Sequence, residues 1–145
     1  MAKITEFEET WIGKGMQFRN TFNTDTGQII SNAGAPRLHQ SIFLILSTAI
    51  GERFLVPDFG SNLHKRVFEQ NDYILRDLIQ LDVKQALAKW EPRIEVISVE
   101  VQSESEGNTL PVNISYRIKS TNMIDNYVYP FKKNAQKLGG EIDYE

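Results

Sequence analysis

A change of period at Pro92 constrains this chain more than any other feature. Between residues 72 and 93, apolar residues recur at Leu75, Leu78, Ile79, Val83, Ala86, Leu87 and Trp90. That is the three-and-four spacing of a helix with one buried face. Arg76, Asp77, Gln80, Lys84, Gln85 and Lys89 fall on the other face and read as solvated or partner-facing. Asp72 suits the N-cap, where its carboxylate can accept from the unpaired N–H groups of the first turn. Beyond Pro92 the period drops to two. Leu110, Val112, Ile114, Tyr116 and Ile118 alternate with Pro111, Asn113, Ser115, Arg117 and Lys119, the pattern of a half-buried strand. Ile97, Val99 and Val101 alternate with Ser98, Glu100 and Gln102 in the same way. Ile94 and Val96 are out of phase with that set, which predicts a bulge or twist near Val96 and Ile97. A long helix therefore feeds an antiparallel hairpin, one face of which is turned toward helices.

Upstream, Pro36 suits a first helical turn, because its missing N–H costs nothing there. Leu38, Ile42, Ile45, Leu46 and Ala49 form the core stripe of that helix, widened by Phe43, Leu44 and Ile50, with Gly51 as its C-terminal cap. Ser61 can cap a short helix over residues 62–68. Residues 17–22 and 28–31 flank turn formers at 23–27, which predicts a short hairpin anchored by Phe18 and Phe22. Residues 127–131 suggest a third strand that Pro130 confines to an edge or an end. The fold expected is α+β: two or three helices packed on one face of a small, mostly antiparallel sheet. It forms a single domain over residues 1–145, with an N-terminal arm (1–16) and a mobile tail (132–145).

Several classes of chemistry lack their residues. With 145 residues, the chain can build one ordinary hydrophobic core. A net charge of −3 without a basic cluster argues against nucleic acid as a partner. No cysteine is present, so disulfides and thiolate metal sites are excluded, which fits a reducing compartment. The longest apolar run, residues 42–46, is too short to cross a bilayer, so no membrane insertion is expected. The opening stretch is acidic and has no apolar core, so classical secretion is not expected either. His39 and His64 stand in separate segments without further ligands at metal-binding spacing. Gly13 and Gly15 do not begin a phosphate loop. His39 beside Ser41 lacks the orienting acid a triad needs. No metal and no cofactor are implied. Glu91 with Glu95, or with Asp82, could supply the carboxylate pair of a glycosidase. Against that, the neighbouring Arg93 would lower the pKa of Glu91 and unfit it as a general acid.

The helix ends in Trp90-Glu91-Pro92-Arg93. Pro92 biases Glu91 away from helical dihedrals, so the helix stops there. An acid is left at the negative end of the helix dipole, where it is disfavoured unless paired, and Arg93 faces it across a rigid proline. The arrangement reads as a built recognition corner or, more simply, as a helix stop with a surface ion pair worth under about 1 kcal/mol.

Gly51-Glu52-Arg53, residues 57–63 (Pro-Asp-Phe-Gly-Ser-Asn-Leu), Phe68-Glu69-Gln70-Asn71 and residues 90–94 (Trp-Glu-Pro-Arg-Ile) resemble, in order, one family. It is the small wedge protein, or sheath initiator, of contractile-tail baseplates in phages, type VI secretion systems and extracellular injection particles. Phage members were once called tail lysozymes. The resemblance covers roughly residues 36–119 and implies a structural role without catalysis. Glu91, Pro92 and Arg93 would meet the helical bundle of the two larger wedge proteins. The strand of Leu110, Val112, Ile114, Tyr116 and Ile118 would belong to a sheet that offers an edge to contractile sheath subunits and templates the first sheath ring. Hub or tube proteins are further candidate partners, and a sixfold baseplate would take six copies. Such a protein assembles in the bacterial cytoplasm and is incorporated into a phage tail or injection particle. The rival functions are a peptidoglycan-cleaving glycosidase and a free strand-pairing module that binds peptides.

Overall fold

The computed structural model describes residues 14–16, 23–28, 31–69, 73–102 and 109–133. Strands β1 (Lys14–Met16) and β2 (Ser31–Ala33) form a two-stranded antiparallel ladder. Helices α1 (Ala35–Ser47) and α2 (Tyr73–Trp90) follow, separated by a single 3-10 turn at Leu63–Arg66. Strands β3 (Ile94–Val101), β4 (Thr109–Ile118) and β5 (Ile124–Lys132) make an antiparallel sheet in that order. Two helices on a three-stranded antiparallel sheet make an α+β fold, as the two periods predict. No described helix is long and apolar enough to cross a membrane.

The described pairing of the first hairpin lies at and beyond the outer ends of the predicted strands. Its turn is at Asn23–Gln28 as expected, closed by Asn23 N–H to Gln28 O at 2.9 Å and Gly27 N–H to Asn23 O at 2.7 Å. Its pairing, however, takes in Lys14–Met16, the last residues of the predicted arm. Phe18 and Phe22, like Asp72, lie outside the described residues.

Helix α1 begins at Gly34, whose φ of 74° is open to a residue without a Cβ, and carries Pro36 in its first turn. Leu38, Ile42, Ile45 and Leu46 are buried, as their spacing requires. The helix stops at Ser47, short of the Gly51 cap. Thr48 turns extended and directs both its N–H (3.1 Å) and its hydroxyl (2.7 Å) at Leu44 O, which ends the ladder there. Ser61 does not cap a following helix either. Its hydroxyl donates to Leu46 O at 2.9 Å and its N–H to Thr48 O at 2.9 Å, folding the connecting loop back onto the end of α1. Gly60 permits that approach, because a Cβ there would meet Thr48 O at 2.3 Å.

In α2, Leu75, Ile79, Val83, Ala86 and Leu87 are buried together with one acid, Asp82. The sheet covers them. Leu110, Val112, Ile114, Tyr116 and Ile118 of β4 all lie in the core. The bulge occurs where the phase shift predicts it, with Val96 opposite Tyr116 and Ser98 opposite Ser115. Ile97 is therefore the extra residue, and it points outward, 51% exposed. The alternation had placed it inside with Val99 and Val101. The bulge instead realigns Ile94 and Val96 with Val99 and Val101 on the inner side.

Candidate functional site

Glu91 stands one residue past α2, and its N–H still bonds to Leu87 O at 2.9 Å. Its carboxylate turns inward and is 1% exposed. Oε1 accepts from Arg93 Nε at 2.6 Å, and Oε2 accepts from Arg93 Nη2 at 2.7 Å and from the Ser41 hydroxyl of α1 at 2.5 Å. The corner is thus a two-toothed ion pair folded around Pro92 and tied to the other helix. Burial alone would raise the Glu91 carboxyl. The hydrogen bonds from Arg93 and Ser41, with the charge of Arg93, outweigh it and hold the group below its ordinary value. Donating to the Glu91 carboxylate in turn raises Arg93. Pro92 is exposed and the Arg93 side chain is 34% exposed, so two of the three corner residues reach the surface.

The carboxylates that could have served a glycosidase are separately occupied. Glu91 is held by Arg93, buried Asp82 by Arg66 Nε at 3.0 Å, and Glu95 by Arg117. Arg66 also holds Glu69 at 2.9 Å. A concavity of about 140 Å³ between Ser61, Asp82 and Trp90 falls below the roughly 300–1,000 Å³ of ordinary ligand sites. No group of three His, Cys, Asp or Glu among the described residues could hold a metal ion.

A second polar cluster joins α1 to the sheet. Asp125 Oδ2 accepts from the Tyr116 hydroxyl at 2.9 Å and lies 3.1 Å from His39 Nε2. An ionised carboxylate only accepts, so Nε2 carries the hydrogen. The His39 ring leans on Tyr127, with centroids 5.2 Å apart. Burial would raise Asp125, but the Asn126 N–H, Tyr116 and His39 together hold it low. Tyr116 is pushed up, chiefly by burial.

The sequence had left one flank of β4 weakly covered. The structure closes it, for β5 pairs with β4 from Arg117 opposite Ile124 to Thr109 opposite Lys132. Leu110, Val112, Ile114, Tyr116 and Ile118 therefore belong to a central strand, and their side chains are inside. The outer edges of the sheet are then those of β3 and β5, and β5 is the one beyond β4. Ile118 N–H donates to Met123 O at 2.9 Å. Counting by twos from that pair, Asp125, Tyr127, Tyr129 and Phe131 bond toward β4. The N–H and C=O groups of Ile124, Asn126 and Val128 then point away from the sheet, where the Asn126 N–H is held by Asp125 Oδ1 at 2.8 Å and no described strand meets the row. Pro130 has the same outward phase and sits opposite Pro111, so its missing N–H costs the β4–β5 ladder nothing.

Sequence reasoning weighed Ser41 and Asp82 only as catalytic groups and missed their pairing with Glu91 and Arg66. Each is a polar residue at a stripe position, Ser41 three past Leu38 and Asp82 three past Ile79. A polar residue on an apolar stripe calls for a buried partner, and that was the available signal.

The family model described as baseplate wedge protein gp25 matches residues 33–123. The baseplate wedge protein gp25 of Enterobacteria phage T4 is 28% identical over 85 residues, which are 59% of this chain and 64% of that protein. The match thus spans less than two thirds of that relative's length. A Geobacter sulfurreducens crystal structure carrying the label tail lysozyme is 44% identical, with a TM-score of 0.64, over 68% of this chain and 89% of that one. A chain of the anti-feeding prophage baseplate superposes with a TM-score of 0.64 at 20% identity, covering 90% of this chain and 94% of that one. A chain of the postcontracted pyocin R2 baseplate does so at 0.52 and 24%, covering 83% and 98%. These last two likenesses speak to the fold alone.

Proposed function

Because the chain belongs to the baseplate wedge protein gp25 family, we propose that it is a structural part of a contractile injection baseplate, joining the wedge to the sheath and templating the first sheath ring. Two surfaces divide that work. At the corner, buried Glu91 fixes the plane of the Arg93 guanidinium, so that Pro92 and Arg93 form the face offered to the helical bundle of two larger wedge proteins. At the sheet, the outward row of β5 receives a strand from a sheath subunit. Leu110, Val112, Ile114, Tyr116 and Ile118 serve that surface from beneath, since their burial sets the register of the sheet.

The observation that carries this reading is the outward row at Ile124, Asn126 and Val128. Main-chain pairing at a sheet edge is an established binding mode, and an uncovered edge is one that native proteins ordinarily cover or blunt. The partners are then the wedge proteins, the sheath, and hub or tube proteins. Six copies suit a sixfold baseplate assembled in the bacterial cytoplasm. No catalysis is required, and carboxylates each held by an arginine favour assembly over cell-wall hydrolysis. A lytic band in a cell-wall zymogram would overturn that half of the reading.

Val128→Pro tests the edge. It removes an outward donor and leaves the bonds to β4, as Pro130 already does. The variant should fold, enter the baseplate and fail to start a sheath. Full-length sheaths on such baseplates would refute the proposal.

A further inference from the structure

The segment between α1 and the 3-10 turn carries hydrocarbon that the corner and the sheet edge leave unused. Phe54 is 97% exposed and Leu55 is 88% exposed, with Ile50 and Val56 partly exposed beside them. Single exposed apolar residues are ordinary, but two adjacent large ones at the tip of a pinned loop are not. The neck of this loop is closed by Gly51 N–H to Pro57 O at 2.7 Å, and Phe59 N–H donates to Val56 O at 3.1 Å. Glu52 is bound twice to Ala49, its carboxylate accepting from the Ala49 N–H at 2.9 Å and its N–H donating to Ala49 O at 3.0 Å. The Arg53 guanidinium lies 4.1 Å over the Phe59 ring. The two charges that precede the tip, Glu52 and Arg53, are thus turned back onto the chain, and Phe54 and Leu55 present hydrocarbon at the tip itself.

We propose that Phe54 and Leu55 form an apolar plug that seats in an uncharged crevice on the same wedge partner that the Pro92–Arg93 corner meets. The inference rests on the corner reading above. Continuity supports this occupant. Phe59 at the base of the loop packs on Trp90 with centroids 5.1 Å apart, and Trp90 directly precedes the corner. The loop base and the corner therefore adjoin. A second copy joined tip to tip would bury only a few side chains, well short of the roughly 1,200 Å² at the low end of stable interfaces. A lipid surface is disfavoured because Glu52 and Asp58 flank the tip and the chain carries a net charge of −3, whereas anionic membranes recruit basic flanks.

The test pairs a Phe54→Ser/Leu55→Ser variant with Arg93→Ala, each as the full chain co-expressed with the two larger wedge proteins. The loop variant should melt with the wild type, because its side chains are exposed, and should lose at least about tenfold in capture by the wedge partners. Leu55→Lys repeats the test with one change. Undiminished capture of both loop variants beside a failed Arg93→Ala would overturn the plug and leave the corner reading intact. Undiminished capture of all three would overturn both. Concentration-dependent dimers that the loop variant abolishes would assign the tip to a second copy instead. Binding to phosphatidylcholine–phosphatidylserine vesicles that the loop variant abolishes would assign it to lipid. Either result overturns the proposal.

Discussion

Replacing Glu91 by Gln probes the corner without opening a hole. The side chain keeps its volume, loses its charge and exchanges one accepting oxygen for an NH2 group that faces donors. In the wild type both oxygens are engaged, by Arg93 at 2.6 and 2.7 Å and by Ser41 at 2.5 Å, with Glu91 only 1% exposed. Removing one member of a fully buried pair costs about 3–5 kcal/mol. Arg93 is 34% exposed, so water recovers part of its solvation, and about 2–3 kcal/mol is the better figure. For a chain of this length that is a melting drop of roughly 5–10 °C. The pH dependence adds a second readout. The folded pKa of Glu91 lies below its ordinary 4.5, so its contribution is fully present above that value and is lost as pH falls through the folded one. Thermal and urea melts from pH 7 downward should show the gap between wild type and Glu91→Gln closing below about pH 4.5. A variant within about 0.5 kcal/mol of wild type at pH 7 would refute the argument, since that is the range of ordinary surface changes. So would a gap that does not change with pH.

Leu46→Ala removes a fully buried core side chain of α1 and should cost about 2–5 kcal/mol in urea melts; no loss would make α1 peripheral. Ile97→Thr, at the outward bulge residue, should stay within about 0.5 kcal/mol, while Val99→Thr should cost well over 1 kcal/mol because it buries a hydroxyl. Equal losses would contradict the bulge.

What could be read from the sequence was what spacing alone decides. The α2 stripe, the five inward residues of β4 and the phase slip before Ile97 all follow from which faces must leave water. The slip did not say which residue is the extra one, because moving it by a single position exchanges the faces of Val96 and Ile97. The end of α1 also escaped, since it depends on Thr48 and on Ser61, a residue that arrives from beyond the loop. The corner was visible as a charge conflict at a helix end. Its resolution was not, because the inward turn of Glu91 needs Ser41, fifty residues earlier. Local chemistry identified the problem, and tertiary packing chose the solution.

Pro130 has a consequence for how growth on this edge would be timed. It interrupts the outward row, and with the Asn126 N–H already given to Asp125 the stretch before it offers two donors, at Ile124 and Val128, and three acceptors, at Ile124, Asn126 and Val128. At about 1 kcal/mol per hydrogen bond, such a row returns about as much as the 4–15 kcal/mol that association costs, or less. A lone strand would leave as quickly as it came. A ring of linked strands meeting several copies at once would stay, because each later contact becomes intramolecular. The short edge would therefore act as a threshold, silent toward stray chains in solution and responsive only to an assembled set of neighbours.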